Sequence, residues 1–137
     1  MQRIDTNLLN GVTAQAKESP RLRMNHNFHG SLEAKAQRLL NALEPGTVLP
    51  VHRHPHTSET YLLLRGKIRV MFYNDAKEET ESTVLDPLTG DYGVHIPAGQ
   101  WHTLEVLESG SVLFEVKDGP YTCLLYTSPS PRDMRRS

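Results

Sequence analysis

The sequence has little of several features that mark common classes of protein. Its 137 residues contain one cysteine, so the chain has no internal disulfide and no cysteine-rich zinc site, and a metal would need nitrogen and oxygen ligands. No apolar run approaches the roughly 20 residues that span a bilayer, and the N-terminus has no signal-peptide core. The 15 basic and 16 acidic residues leave no basic excess for nucleic acid or membranes. We therefore expect a cytoplasmic protein with a small-molecule partner, and neither nucleic-acid nor membrane binding.

The length and the pattern of the chain predict one all-β domain preceded by a helix. Asp5 and Thr6 can cap an amphipathic helix, which Ser19-Pro20 ends. The polar segment 21–33 is interpreted as an irregular loop. After Glu33, short runs that alternate with period two lie between turn residues, which is typical of a β sandwich or barrel rather than a parallel α/β sheet. The predicted strands are 37–43, 60–64, 68–73, 81–85, 94–96, 101–107 and 112–116. For 37–43 a helical turn is the alternative.

The last residues, 122–137, differ in composition from the strands before them. The stretch CLLYTSPSPRD has no continuous pattern, and Pro129 and Pro131 fall within it. It also resembles the conceptual translation of a transposase adapter used in DNA library preparation. We therefore expect a disordered, non-native tail. Genomic reads that join it to its own downstream gene sequence would contradict this expectation.

Three histidines and a glutamate stand at a spacing that a metal ion would explain. His52 and His54 are two residues apart, so on a strand both side chains point to one face. Glu59 follows a turn-prone stretch that lets the chain bend back. His102 shares the strand parity of Leu104, a predicted core residue. Three imidazoles and a carboxylate suit Fe(II), Mn(II), Ni(II), Co(II) or Zn(II) and do not suit calcium or magnesium. Four protein ligands on an ion that prefers six leave open positions, as in catalytic sites.

The other histidines and one glutamate are assigned from their neighbours in the chain. His26 and His29 are most simply surface histidines in a loop, with a contact to substrate or to the ligands as the alternative. His56 follows a proline in a turn and is not expected to bind metal. His95 is opposite in parity to its apolar neighbours and is expected to face outward. Glu115 alternates with apolar residues and is expected on the solvent face.

An enzyme would need a proton-transfer group beside the metal ligands. Tyr61, Arg53, Arg65 and Glu105 are candidates by residue type alone. Trp101 is expected to pack rather than to stack on substrate. Because no spacing argument selects among these residues, catalysis stays open at this point, with a non-catalytic metal- or ligand-binding sensor as the alternative.

Two segments resemble the two motifs of the cupin superfamily. Gly46, five residues, His52-Arg53-His54, four residues, Glu59, six residues and Gly66 match the first motif at every fixed position. The stretch PAGQWH, 97–102, keeps the PxG and the histidine of the second motif, but the leading glycine falls one place early, at Gly90, and Val106 replaces the usual asparagine. The resemblance implies a double-stranded β-helix barrel of jelly-roll type over residues 1–121. Many members of the superfamily are dimers, so the resemblance also implies a homodimer. It further implies a metal held by His52, His54, Glu59 and His102.

Within that superfamily, the chain is similar to the WbuC-type metalloproteins across roughly residues 1–121. The similar stretches include RMNHNFH, QRLLNALEPGT, HRHPHTSE and IPAGQWHTLEVLESGSVLFEVKDGPY. Members occur with bacterial surface-polysaccharide (O-antigen) gene clusters, which implies chemistry on a sugar or nucleotide sugar. The leading hypothesis is Lewis-acid isomerisation or epimerisation. An Fe(II)-dependent dioxygenase and a non-catalytic sensor are the alternatives.

Overall fold

The computed structural model describes residues 1–120 and the backbone of Tyr126–Thr127. An α-helix, α1 (Thr6–Glu18), precedes two five-stranded antiparallel sheets, and a short 3-10 helix spans Pro87–Thr89. The strands are β1 (Arg23–Asn27), β2 (Ala36–Leu43), β3 (His52–Arg53), β4 (Glu59–Arg65), β5 (Ile68–Tyr73), β6 (Glu79–Leu85), β7 (Gly93–Ile96), β8 (Trp101–Val106), β9 (Ser111–Asp118) and β10 (Tyr126–Thr127). The first sheet has the order β1-β2-β9-β4-β7, and the second has the order β10-β3-β8-β5-β6. This arrangement confirms the predicted all-β class with a short N-terminal helix.

Helix α1 covers the outer face of the first sheet. It begins where the side chain of Asp5 accepts a hydrogen bond from the Leu8 backbone N–H at 3.0 Å, and it ends at Ser19, which is extended. Both ends agree with the sequence prediction. The apolar stripe of the helix packs on apolar side chains of the two central strands beneath it, because both surfaces gain by leaving water. This cluster contains Leu9, Val12, Ala16, Leu40, Ala42 and Val112.

A second apolar cluster fills part of the space between the two sheets. Its members are the inward-facing residues of β4, β5 and β8, joined by residues from the ends of neighbouring strands. In β8 the side chains of His102, Leu104 and Val106 face this interior, as the sequence predicted. The cluster consists of Leu43, Tyr61, Leu63, Ile68, Val70, Leu85, Ile96, Leu104, Val106 and Leu113.

Part of the segment 21–33, interpreted from sequence as an irregular loop, is a strand. Arg23–Asn27 forms β1 and pairs antiparallel with β2 over five residues, from Arg23 opposite Leu43 to Asn27 opposite Leu39. An edge strand gains its order from the backbone ladder of its neighbour and can be polar, so its composition resembles that of a loop. The loop interpretation was wrong at these residues.

Two glycines of the first motif occupy turns that need a positive φ. Gly46 has φ +98° and Gly66 has φ +95°. At Gly66, between β4 and β5, a Cβ atom would stand 2.6 Å from the Cα of Ser111, so only glycine fits. The spacing of these two glycines is therefore set by backbone geometry at both ends of the segment that holds the histidines.

The predicted tail, 122–137, lies outside the described residues except at β10. There the backbone of Tyr126–Thr127 pairs antiparallel with His52–Arg53. Among the described residues, no helix has the length and apolarity needed to cross a membrane.

Candidate metal centre

The structure brings together all four residues that the sequence analysis proposed as metal ligands. His52 on β3 and His102 on β8 are directly opposite each other in the second sheet. His54 lies just past the end of β3, and Glu59 begins β4 in the first sheet. One ligand atom from each residue can be chosen so that all four atoms lie within 4.8 Å of one another. The cluster therefore exists only because the two sheets face each other.

The turn of the second motif holds the first motif in place. The Gly99 backbone N–H donates a hydrogen bond to the carbonyl oxygen of His54 at 2.8 Å, and the Gln100 N–H donates to the Pro97 oxygen at 3.2 Å. Gly99 takes φ +83° in this turn. This contact fixes the backbone of His54 beyond the last strand residue, where no sheet ladder would hold it.

Two of the imidazoles are oriented by backbone carbonyls. His52 Nδ1 lies 2.9 Å from the Pro50 oxygen, and His102 Nδ1 lies 2.8 Å from the Gln100 oxygen. A carbonyl only accepts, so each Nδ1 carries a proton, and Nε2 is the nitrogen of each ring that is turned toward the other candidate ligands. This is the arrangement that protein imidazoles adopt when Nε2 binds a metal.

Glu59 is the centre of the hydrogen bonding in the cluster. Its Oε1 lies 2.8 Å from His102 Nε2 and 3.4 Å from His54 Nε2, and it accepts a hydrogen bond from the Tyr61 hydroxyl at 3.1 Å. Burial alone would raise the pKa of Glu59, but the hydrogen bonds and charges of His102 and His54 lower it well below its usual range. The carboxylate is therefore ionised at neutral pH.

Burial, with a smaller contribution from the charge of His102, lowers the pKa of His52 to about 4. His52 is therefore neutral at pH 7, as a metal ligand must be. Glu59 and His102 are 3% and 1% exposed, so the donors form a shielded set of nitrogen and carboxylate oxygen atoms. Such donors fit a divalent transition metal and do not fit calcium or magnesium.

The remaining histidines are not part of this cluster. His26 is opposite Leu40, which packs against α1, so it faces the helix side of the sheet, and its ring contacts Phe28. His29 Nδ1 contacts the backbone of Arg38. His56 is exposed, as is His95, whose Nδ1 lies 2.9 Å from the Thr60 hydroxyl. The outward direction predicted for His95 is confirmed.

Glu115 was expected on the solvent face, and the structure shows that this was wrong. It is 8% exposed and lies opposite Tyr61 on β4. The alternation in β9 was predicted correctly, but the apolar side chains of Val112 and Phe114 face α1. The side chains that alternate with them, including that of Glu115, therefore face the space between the sheets. Burial, followed by the charge of Glu59, raises the pKa of Glu115 to about 7.

Of the residues considered for proton transfer, Tyr61 lies in the cluster and Arg65 does not. The Tyr61 hydroxyl is in the cluster, 3.1 Å from Glu59 Oε1, and burial raises its pKa well above the usual range. Arg65 instead holds α1 to the loop after β8, through Asn10, Thr13 and Gly110.

The two other candidates and the tryptophan do not join the cluster. Glu105 is exposed. Arg53 stacks on the indole of Trp101 with 4.6 Å from its guanidinium carbon to the ring centroid. Trp101 is buried, as predicted, and its Nε1–H donates to Asp75 at 3.1 Å.

Comparison with solved structures defines the class of protein as the cupin fold. CapF from Staphylococcus aureus, a capsular polysaccharide assembling protein, has a TM-score of 0.68 at 20% identity, over 82% of this chain and 31% of CapF. KdgF from Halomonas sp. has a TM-score of 0.59 at 15% identity, over 77% of this chain and 84% of KdgF. An oxalate oxidase in complex with the substrate analogue glycolate has a TM-score of 0.60 at 15% identity, over 82% and 58%.

Within that fold, a family model matches the first part of the chain. The chain belongs to the family described as "Domain of unknown function (DUF6016)", whose model matches residues 4–85. The match includes His52, His54 and Glu59 and ends before His102. No curated protein matches the chain. The chain spans about a third of the length of CapF, and the WbuC-type resemblance stays a prediction.

Proposed function

We propose that the chain is a metal-dependent cupin enzyme that acts on a sugar or nucleotide-sugar derivative in bacterial surface-polysaccharide metabolism. The observation that carries the proposal is the convergence of three imidazoles and one carboxylate, contributed by both sheets, with ligand atoms within 4.8 Å of one another. A buried set of donors with Nδ1 protons directed to carbonyls is prepared to bind a metal through Nε2.

The residues of the centre divide into those that would hold the metal and those that orient them. His52, His54, Glu59 and His102 would hold a divalent transition metal, which when bound supplies a Lewis acid for a substrate carbonyl or hydroxyl. Tyr61 keeps its proton at neutral pH, and its hydroxyl donates a hydrogen bond to Glu59 that restrains the carboxylate. Isomerisation or epimerisation is the reaction class proposed for such a centre.

The substrate class is supported by resemblance and by one neighbour. The similarity to WbuC-type proteins associates the sequence with O-antigen gene clusters. CapF, which shares the fold, is a capsular polysaccharide assembling protein. Both point to activated sugars as the molecules with which this chain works, in the cytoplasm and as a homodimer. Light scattering at micromolar concentration tests the dimer.

A catalytic role is favoured over a sensor because protonatable groups other than the ligands lie on the same inner face. Tyr61 contacts Glu59, and Glu115 is opposite Tyr61 on the next strand. A binding module needs no such groups, whereas proton transfer in a reaction does. The shared fold with an oxalate oxidase keeps an Fe(II)-dependent dioxygenase as the second candidate.

Metal content and isotope exchange test the proposal together. Elemental analysis of protein purified without added ions should find one transition metal per chain in the wild type and in His95→Ala, and background metal in His52→Ala and His102→Ala. Unchanged metal in both ligand variants would refute the centre.

The metal-loaded protein is then incubated with nucleotide sugars in D2O. Metal-dependent deuterium incorporation at a substrate carbon, seen by NMR, is expected for isomerisation or epimerisation. Oxygen uptake by the iron-loaded protein would identify the dioxygenase instead. Saturable binding of a nucleotide sugar with neither exchange nor uptake would identify a sensor.

A further inference from the structure

Glu115 lies one strand away from the candidate metal centre on the same inner face. It is opposite Tyr61 on β4 and opposite Leu39 on β2. Directly opposed residues share a face of the sheet. Tyr61 in turn donates to Glu59 at 3.1 Å, and the charges of Glu59 and His54 both act on Glu115. A carboxyl group therefore stands beside the centre without belonging to its ligand set.

Asn41 on β2 supplies a second oxygen on this face. It is opposite Leu113, a member of the core between the sheets, so its side chain shares the inner face. The Asn41 side chain also hydrogen-bonds the Glu115 carboxylate. An ionised carboxylate only accepts, so the amide nitrogen of Asn41 is the donor. This bond orients the amide and leaves its carbonyl oxygen directed elsewhere.

That oxygen is unusual because it is buried and has no partner. Among the described residues, Asn41 Oδ1 is one of three buried side-chain atoms without a hydrogen bond. A buried acceptor without a donor costs free energy, so such an atom indicates a group from outside the chain that supplies the donor. On β1 the residue opposite Asn41 is Asn25, which is exposed, so this row of the sheet reaches solvent at its edge.

We propose that Glu115 and Asn41 form a subsite that binds hydroxyl groups of a polyhydroxylated substrate beside the metal centre. A carboxylate and an amide oxygen are both acceptors, and adjacent sugar hydroxyls are the matching donors. A small dicarboxylate such as oxalate does not suit this subsite, because it has no hydroxyl group to donate to these two acceptors. The subsite rests on the proposed function and narrows its substrate to one that carries hydroxyl groups beside the metal-bound group.

The test uses the metal-loaded full chain and a fixed set of probes. D-glucose, UDP-glucose and UDP-N-acetylglucosamine carry sugar hydroxyls, whereas oxalate and pyrophosphate do not. We expect calorimetry to show tighter binding of at least one hydroxylated probe than of both hydroxyl-free probes. Glu115→Gln, which keeps the size of the side chain, should weaken that binding by at least about tenfold, because hydrogen bonds to a charged acceptor are the stronger ones.

Two further variants keep the test specific. Asn41→Ser should weaken the same probe, whereas Glu105→Gln, an exposed glutamate on β8, should not. All three should keep the metal content of the wild type. Equal probe affinity in Glu115→Gln and wild type would overturn the subsite, as would a metal-loaded wild type that binds no hydroxylated probe. If Glu115→Gln and Asn41→Ser change the melting temperature alone, the pair is structural and the subsite is also overturned. A wild type without metal would overturn the proposed function itself.

Discussion

The two faces of the first sheet are both shielded from water along β2 and β9, but they differ chemically. The face toward α1 carries Leu40, Ala42 and Val112, all fully buried and all apolar. The opposite face carries Glu115 and, beside it, Asn41. Burying apolar groups stabilises a fold, whereas burying a carboxyl group costs free energy unless something compensates. Burial by itself therefore does not distinguish a functional site from the apolar core. The presence of buried polar groups does.

The difference extends to the whole space between the sheets. At one part of it, Ile68, Val70 and Leu104 pack as an ordinary core, while at another the four candidate ligands meet. The buried groups with perturbed pKa values, His52, Glu59, Tyr61 and Glu115, lie in or beside the second part. Groups of this kind cluster where a protein binds or reacts.

The largest expected effect is at the ligands. His102→Ala should reduce metal affinity by more than about 100-fold, since loss of an outer partner alone costs about 10–100-fold. Elemental analysis after dialysis measures it, and His95→Ala, an exposed histidine, is the control. Retention of one metal per chain in His102→Ala would contradict the assignment of His102 as a metal ligand, and with it the contrast between the candidate metal centre and the apolar core.

On the helix-covered face, Leu40→Ala should lower the free energy of unfolding by about 2–5 kcal/mol, because it leaves a cavity at a fully buried position. Urea unfolding measures this. Metal content per folded chain should not change. Leu62→Ala, at a residue 43% exposed on β4, should change stability by less than about 0.5 kcal/mol. Loss of metal in Leu40→Ala would show that the two faces are not independent.

Glu115→Gln should change the pH dependence of stability in protein freed of metal by a chelator. The folded pKa of Glu115, about 7, is raised above its ordinary value of 4.5, so the folded state binds more protons in that window. The contribution of Glu115 to wild-type stability should therefore fall as pH rises from about 4.5 to about 7 and then level off, and the variant should lack this fall of up to about 3 kcal/mol.

Urea unfolding at about pH 5 and about pH 8 measures the difference between wild type and variant. Glu59 has its pKa shifted in the opposite direction, and its stabilisation is lost as pH falls below the usual carboxyl range. The lowered pKa of His52 acts in the same direction as that of Glu59. Both proteins share these two residues, so their effects cancel. Glu105→Gln is the control, and a variant difference that is the same at both pH values would contradict burial of Glu115 as the cause.

The smallest effect is expected at the start of the helix. Asp5→Ala removes the acceptor of the Leu8 N–H and should cost about 1 kcal/mol, visible in urea unfolding. Metal content should stay as in the wild type. Glu33→Ala, at an exposed loop residue, is the matched control. An effect of Asp5→Ala on metal content would connect the helix to the centre.

Several elements were predictable because their signals are local. The helix ends at Asp5 and Ser19 follow from capping chemistry, and the period-two alternation of 68–73 identifies β5. The strand β1 was missed, since its order comes from pairing with β2 rather than from its own polar residues. The tail prediction rests on composition and on the resemblance to an adapter translation, and it stays a prediction.

The sequence by itself determined which residues offer metal-binding atoms, because the spacing of His52, His54 and Glu59 and the parity of His102 are properties of the chain. Only the tertiary structure decided that these atoms meet, since Glu59 comes from one sheet and His52 and His102 from the other. It also decided the direction of Glu115. A strand has two faces, and alternation cannot tell which one is the interior when a helix covers the other.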